Sequence, residues 1–463
     1  MSYPAYPEYK DSGVEWLGEV PAHWEVTALK RGHDVVLGKM LQPEPKKESD
    51  QLLPYLRAAN IQPTGVDFKD VRKMWFSPSE ARQLALEYGD LLISEGGDVG
   101  RPALWRNGPG YHIQNSINRV RSNANNCSSF LFYWMLAIKQ KGYVDVLCNK
   151  STIAHFTAEK VASVPTPFPP GSEQTQIANF LYHETTRIDA LVEEQQCLIE
   201  LLKEKRQAVI SHAVTKGLDP SVPMKDSGVE WLGEVPAHWD VGPLRWYATI
   251  QGGIAKGKSY DAETLTVELP YLRVANVQDG YVALSTVKTV EVAVSEVDRY
   301  RLQEGDVLMN EGGDNDKLGR GTVWNGEITD CLHQNHVFAI RPNQYLLPHW
   351  LSMFTRSNAA RAYFYLYSKQ STNLASISSS SVMSCQLPLP PVEEQRKVLD
   401  FLAIEAARLD DLMQEGINTI NLLQERRSAL ISAAVTGKID VRGWQPSARS
   451  VVAAGEANQT ELV

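Results

Sequence analysis

The sequence has no run of 18 or more apolar residues, so it offers no membrane-spanning helix. Its opening, MSYPAYPEYKDSG, shows no basic segment followed by an apolar one and is not expected to act as a secretory signal. Cysteine is scarce: Cys127, Cys148, Cys197, Cys331 and Cys385 are the only five in 463 residues. No two stand close enough for a zinc pair, and an odd number does not suggest a disulfide framework. A reduced, cytoplasmic protein without a metal site is expected. Positive charge is also short, with 46 Lys and Arg against 55 Asp and Glu and a net charge of −9. Tight unassisted DNA binding usually needs a basic face. A DNA reader with this balance would need local basic loops, a basic partner, or both. Catalytic signatures are missing too: there is no Gly-rich cofactor fingerprint with an acidic partner, no nucleophile elbow and no His pair at metal spacing. What remains, 43% hydrophobic and 22% charged residues, is ordinary for a soluble globular chain.

What is present is a repeat. KDSGVEWLGEVPAHWEV, from Lys10, returns as KDSGVEWLGEVPAHWDV from Lys225. LPYLRAANI from Leu53 returns as LPYLRVANV from Leu269, and GDLLISEGGDVGRPALW from Gly89 as GDVLMNEGGDNDKLGRGTVW from Gly305. IQNSINRVR from Ile113 returns as HQNHVFAIR, PFPPGSEQTQIANFL from Pro167 as PLPPVEEQRKVLDFL, and KRQAVISHAVTKGLD from Lys205 as RRSALISAAVTGKID. The offset drifts only from 215 to 221 residues, so the chain is two copies of one unit plus a short tail. A period this long is a domain duplication, since solenoid repeats run at about 20–50 residues.

Each copy has two parts. The first mixes short apolar runs with Gly, Pro and Asn breaks. YLRAANI, DLLIS and INRVR read as strands, and PSEARQLALEYG and SSFLFYWMLAIKQKG as helices, giving an α+β globular domain. The second part, from Glu173 to about Ala213, has no Gly or Pro. There Ile177, Leu181, Ile188, Leu191, Leu198, Leu202 and Val209 fall on alternating three- and four-residue steps, interrupted by Glu184, Gln195 and Lys205. Ser172 can cap this helix and Gly217 can close it. The second copy runs from Glu393 to near Gly437 with Leu399, Leu402, Leu409, Leu412, Ile420, Leu423 and Leu430 in its stripe and Gly416 as a weak point. Each helix would be about 60 Å long. A single apolar stripe must be buried, and the nearest partner is the duplicate helix. An antiparallel coiled coil with pseudo-two-fold symmetry is therefore expected, two helices packed separately on their own domains being the alternative. The expected partition is 1–166 as a first domain, 167–217 as a helix, 218–387 as a second domain, 388–440 as a second helix, and 441–463 as a mostly disordered tail that could instead brace the first domain.

From Lys10 to Asp440 the chain resembles the specificity subunits of type I restriction–modification systems. KDSGVEWLGEVPAHWEV, YLRAANI, GDLLISEGGDVG, PFPPGSEQTQIANFL and their second copies carry the likeness. The resemblance implies two target-recognition domains joined by two long helices. Each domain reads one half of a bipartite DNA target, and the helices fix the unread gap. It also implies a chain that is not itself an enzyme and holds no cofactor. Such a chain docks two methyltransferase subunits that use S-adenosylmethionine. Through them it joins restriction subunits, translocase–nucleases that need ATP and Mg2+. DNA half-sites repeat at about 34–36 Å per helical turn, so two readers on a rigid helical spacer can reach two of them.

If the half-sites differ, base readers should lie where the copies differ. Those segments are Lys30–Gln51 against Arg245–Glu268, Val66–Tyr88 against Tyr281–Glu304, and the insertion at Asn315–Leu318. Lys39 lies in the first of them. The loops EGGDVGR and EGGDNDKLGR could offer backbone N–H groups to phosphates, with Arg101, Lys317 and Arg320 adding charge, or could be plain tight turns. Glu95 and Asp98 count against the phosphate reading. Gln114–Asn115 and Gln334–Asn335 can face base edges or cap turns. Lys150, Ser151 and Thr152, with Lys369, Ser371 and Thr372, suit phosphate contacts. Arg57 and Arg273 are expected to be scaffold, and Trp16, Trp24, Trp231 and Trp239 core.

GGIAKGKS, from Gly252, matches a P-loop letter for letter. That motif needs a following helix, and Pro270 stops any helix soon after. The first copy has no such motif. A DNA-facing loop with Lys256 and Lys258 on phosphates is preferred. The competing functions are a P-loop NTPase and a protein scaffold built on the coiled coil without DNA. The DPPY- or NPPY-like motif of an amino-methyltransferase is missing, and PFPP and PLPP read as helix-start prolines.

Overall fold

The computed structural model describes residues 3–123, 125–148, 155–255, 257, 259–313, 318–319, 321–370 and 375–446. The chain gathers into two compact units, residues 1–195 with 418–463, and residues 196–417. This cuts across the partition expected from chain order, because each long helix contributes to both units.

In the first unit an antiparallel sheet runs in the order Pro102–Leu104, Leu91–Ser94, Ile117–Ser122, His33–Leu37. All four residues of Leu91–Ser94 are buried, which is why this central strand reads as an unbroken apolar run. A second sheet places Gln51–Leu56 antiparallel to Arg72–Phe76 and parallel to His112–Ile113. Pro165–Phe168, with two prolines, pairs only with Glu25–Ala28, an edge position where a missing N–H is tolerated. The second unit repeats every one of these pairings. Ala248–Gly252, Val337–Pro342, Val307–Asn310 and Gly321–Val323 form the four-stranded sheet, and Thr266–Leu272 pairs with Lys288–Ala293 and Leu332–His333. Register repeats as well: Leu91 faces Val120, and Val307 faces Ile340.

The repeated letters are the polar clamps of this scaffold. The Glu173 carboxylate accepts hydrogen bonds from Tyr6 Oη (2.7 Å), Trp24 Nε1 (2.9 Å) and His23 Nε2 (2.8 Å). Glu394 accepts from Trp239 Nε1 (3.0 Å) and His238 Nε2 (2.8 Å). Gln174 accepts from Cys127 N and donates to the Pro169 carbonyl, both at 2.9 Å; Gln395 does the same with Leu347 and Pro390, again at 2.9 Å. Asp90, 1% exposed, takes a two-pronged grip from Arg121 at 2.7 and 2.8 Å, and Asp306, also 1% exposed, takes one from Arg341 at the same distances. Trp24 and Trp239 are fully buried, and Trp16 and Trp231 pack half-buried against the two cores. All four are core residues, as expected.

Three local expectations are corrected. PSEARQLALEYG is helical only over Pro78–Gln83, since Leu84 and Leu86 turn into the core and Leu86 N–H bonds the Tyr111 carbonyl. In YLRAANI the strand ends at Leu56, and a 3-10 turn follows over Ala58–Asn60. Asn60 fixes that turn by accepting from Arg57 N–H and donating to the Asp67 and Asp70 carbonyls. The first long helix spans Gly171–Lys216 and the second Val392–Val435. Ser172 therefore sits inside the first turn and not at the cap, where the Pro170 carbonyl receives the Glu173 and Gln174 N–H groups. Gly217 (φ +75°) and Gly437 (φ +72°) follow the two helices in the left-handed conformation that favours glycine.

Within the first unit Ile177 and Leu181 share a core with Ile431, Ala434 and Val435, and Arg427 grips Asp189 (2.8 Å). Within the second unit Ile210, Ala213 and Val214 share a core with Val398 and Leu402, and Arg206 meets Asp410 (3.0 Å). Ile188 and Leu409 are buried, and Leu202, Leu423 and Leu430 half-buried. Leu191, Leu198 and Leu412, expected in the stripe, are exposed at 37%, 44% and 40%. After Ile188 the buried face moves on by one residue, through half-buried Val192 to buried Ile199. A helix turning at 3.6 residues drifts against a strict 3.5-residue pattern, and one extra residue restores the face.

Over 441–446 the tail packs against the first unit, the alternative that the sequence left open. Asp440 N–H bonds the Pro4 carbonyl (2.7 Å), Val441 is buried, and Trp444 packs edge-on against Phe180 with ring centroids 5.3 Å apart. Residues 447–463 lie outside the described residues.

Candidate nucleic-acid interface

In each domain the candidate residues come from loops far apart in sequence, and the strand ends bring them together. The chain leaving His33–Leu37 bridges Lys39 to Gln114; the chain leaving Ala248–Gly252 bridges Ile254 to Gln334. Asn115 N–H bonds the Lys39 carbonyl, Asn335 N–H the Ile254 carbonyl, Gln114 N–H the Leu56 carbonyl, and Gln334 N–H the Leu272 carbonyl. Glu95 N–H bonds the Ser116 carbonyl, and Glu311 N–H the His336 carbonyl. The end of the strand His33–Leu37 or Ala248–Gly252, the Gln-Asn turn and the Glu-Gly-Gly loop thus meet at one place in both domains. Gly38 and Gly253 make this possible: a Cβ at either would collide with the backbone carbonyl of Gln114 or His333.

The side chains there divide by role. Lys39 is placed otherwise than a phosphate ligand would be: its ammonium is paired with Glu80 and lies 5.6 Å above the Phe76 ring. Burial alone would raise the Glu80 carboxyl, but hydrogen bonds from Lys39 and Ser77 outweigh it and hold it down at about 2. Arg101 is likewise committed, to Asp98 and to the Ile61 carbonyl (2.8 Å). Asp98 is further bonded by Lys139, so the EGGDVGR loop is neutralised from within. Arg57 pairs with Asp70, and Arg273 donates to the Thr286 carbonyl, scaffold roles for both. Gln114 donates to Asn115 Oδ1 (2.6 Å) and accepts from Ser116, which closes this turn on itself.

The second domain is more open at the same point. Gln334 and Asn335 are half-buried, and His336 beside them is exposed. A small antiparallel ribbon, Gly312–Gly313 with Ala375–Ser376 and Lys369–Gln370, forms one wall of a groove that Val274, Glu311 and His336 also line. Lys369 and Gln370 are exposed on it. The His336 Nδ1 stands 2.7 Å from Glu311 Oε2. In the first domain His155, from a different segment, stands 3.8 Å from Glu95. Sequence reasoning missed both Glu–His pairs. The repeated Glu in EGG was the available signal, and it read only as charge opposed to phosphate.

The first domain carries its own open groove along Leu37–Lys46, closed on one side by Glu80 and Leu84. Met40 and Leu41 are 74% and 57% exposed there. Lys46 and Lys47 are exposed in the same segment, and Arg72 and Lys73 on the strand that follows. Leu318, inside the insertion expected to read DNA, is a buried core residue. Lys150, Ser151, Lys256, Lys258, Lys317, Arg320 and Ser371 lie outside the described residues. Residues 259–265 form turns before the strand Thr266–Leu272, with no helix, so the P-loop lookalike lacks the element that would hold phosphates. Among the described residues no His, Cys, Asp and Glu cluster could hold a metal ion, and no helix is long and apolar enough to cross a membrane.

Comparison with known proteins agrees with this duplicated architecture. The family model described as type I restriction modification DNA specificity domain matches residues 45–200 and again 239–422. The chain is 22% identical over 438 residues to the type I restriction enzyme EcoKI specificity subunit of Escherichia coli K12, covering 92% of this chain and 91% of that one. It is 21% identical over 442 residues to the StySPI specificity subunit of Salmonella potsdam, covering 92% and 91%. Among solved structures, a chain from a study of complex assembly and conformational transition of the type I R-M system superposes with a TM-score of 0.67 at 17% identity, covering 91% of this chain and 99% of that one. The HsdS subunit of Thermoanaerobacter tengcongensis superposes with a TM-score of 0.54 at 17% identity, covering 91% and 98%.

Proposed function

The chain belongs to the family of type I restriction–modification DNA specificity domains, and from that premise we propose how its two domains read DNA. Each recognition domain presents the meeting point of its His33–Leu37 or Ala248–Gly252 strand end, Gln-Asn turn and Glu-Gly-Gly loop to one half of a bipartite target. The observation that carries this is the contrast within each domain. Clamps such as Glu173 and Glu394, or Asp90 and Asp306, repeat, three of these four carboxylates being buried and Glu394 half-buried, while the exposed loops around the Gln-Asn turns differ between copies. Gln114, Asn115, Gln334 and Asn335 are the base-facing candidates. Lys369, with Lys150, Ser151, Lys256, Lys258, Lys317, Arg320 and Ser371 from segments not described, would meet phosphates. Lys39 and Arg101 order the loops through their acidic partners.

The two long helices pair antiparallel along their length and set the gap between half-sites. The Arg427–Asp189 and Arg206–Asp410 pairs support this, each joining the first half of one helix to the second half of the other. Two methyltransferase subunits dock on this frame, and restriction subunits join through them. S-adenosylmethionine, ATP and Mg2+ belong to those partners. A net charge of −9 supports a division of labour in which the partners supply much of the phosphate neutralisation.

The test is long-read mapping of methylated bases in host cells with and without the gene. A split motif lost on deletion is expected, and exchanging residues 1–166 for another recognition domain should change one half-site only. A methylation pattern indifferent to the gene, with all partner genes expressed, would overturn the reading.

A further inference from the structure

We propose that His336, oriented by Glu311, reads one base pair of the second domain's half-site by accepting a hydrogen bond from an exocyclic amine of cytosine or adenine. The inference rests on the DNA-recognition reading above and names the group that gives it chemical content.

A carboxylate can only accept, so the 2.7 Å contact to Glu311 Oε2 places the imidazole proton on Nδ1. In the neutral ring Nε2 is then left as an acceptor. Asn335 Nδ2 lies 3.5 Å from it, at the outer limit of a hydrogen bond, which agrees with an acceptor still open to a better donor. The ring is not buried: the His336 side chain is 57% exposed and Glu311 32%. An exposed pair of this kind contributes little to stability, so the fold gives slight reason for it. Its backbone is nevertheless pinned on both sides, by Glu311 N–H to the His336 carbonyl (3.0 Å) and Ile377 N–H to the Glu311 carbonyl (2.8 Å). A rigid frame therefore presents an outward acceptor.

The surroundings leave room for a duplex edge. Gly312 and Gly313 follow Glu311, and a Cβ on Gly313 would meet nothing within 4 Å, so the strand can be approached closely. Lys369, on the far strand of the ribbon, offers charge for a flanking phosphate. In the major groove the exocyclic amines are cytosine N4 and adenine N6, which is what an acceptor can select. The first domain has Ser116 where the second has His336. That hydroxyl is turned inward, accepting from Ala58 N–H (2.9 Å) and donating to Gln114. One scaffold thus presents an imidazole in one copy and a satisfied hydroxyl in the other, as two different half-sites require.

The experiment uses the assembled methyltransferase complex with wild-type chain or His336→Ala. Its methylated motif is mapped first, and binding is then measured to duplexes carrying each base at each half-site position. His336→Ala should lose about tenfold discrimination at one position of one half-site and keep the other half-site intact. At that position a duplex with purine in place of adenine, or 2-pyrimidinone in place of cytosine, lacks the amine. It should bind the wild-type complex about tenfold more weakly and the His336→Ala complex about equally. Glu311→Gln, which can donate to the ring and release the tautomer, should blunt the same position. An unchanged profile would overturn the inference while leaving the family function standing. So would weakening spread evenly over both half-sites, or equal loss of the amine effect in both proteins. Failure of the wild-type gene to direct any motif would instead sink the reading beneath it.

Discussion

The strand that borders the four-stranded sheet begins with His33 in one domain and Ala248 in the other, both buried. A few residues away the two domains share a clamp, with Arg121 on Asp90 and Arg341 on Asp306 at matching distances. Packing tolerates a change of side chain provided volume and polarity are absorbed nearby. A buried carboxylate tolerates none, because its desolvation is offset only by an exact set of donors. Duplication therefore preserved the clamps and let the apolar faces and the exposed loops diverge.

The sharpest way to break this equivalence is to remove a clamp from each copy. Asp90→Ala and Asp306→Ala each remove a buried carboxylate that a half-buried arginine and the Glu87 or Gln303 N–H share, and should cost about 2–3 kcal/mol, equally in the two domains, as read by urea unfolding. A cost below about 1 kcal/mol at either position would show that the clamps are not the common frame.

His33 should separate the copies instead. Burial lowers its pKa to about 4 from an ordinary 6.5, outweighing the Leu29 carbonyl and the Asp34 carboxylate, which act the other way. The sign follows from proton counting. The unfolded chain binds the proton first as pH falls, so the neutral ring's full stability is present above pH 6.5 and is lost progressively toward pH 4. Replacing His33 by Ala, the residue the second domain uses, removes that dependence. The stability difference between wild type and His33→Ala should shift by about 2 kcal/mol against the wild type between pH 7 and 4.5, and a pH-independent difference would refute the account.

The smallest expected effects are on the helices. Arg427→Ala and Arg206→Ala each break a partly exposed ion pair and should cost about 0.5 kcal/mol in thermal unfolding at low salt, fading as salt is added. A loss several times larger at one site would mean that the helix contacts of the two units are not equivalent.

Much of this fold was legible because duplication prints its own alignment. A letter kept twice, such as the Glu of the PP-x-x-E-Q helix start, marks a position where chemistry is constrained, and Glu173 and Glu394 both grip a Trp and a His. The candidate site was legible in part. Gln114, Asn115, Gln334 and Asn335 do meet the chain leaving the strands His33–Leu37 and Ala248–Gly252. Lys39 and Arg101 looked like free cations because nothing in the local sequence reveals Glu80 across the groove or the Ile61 carbonyl beneath the loop. His336 was passed over since its significance lies in Glu311, 25 residues earlier.

The sequence by itself determined the two-copy plan, the long helices and their glycine ends, and the buried tryptophans, because these follow from periodicity, composition and repetition, which are local or self-referential. Tertiary structure alone decided which cations stay available and where the helix seam shifts past Leu191 and Leu198. It also decided that residues 440–446 close on the first domain through Pro4, Phe180 and Gln176. Each of those depends on a partner distant in sequence, and a charge or a leucine has no fixed role until that partner is in place.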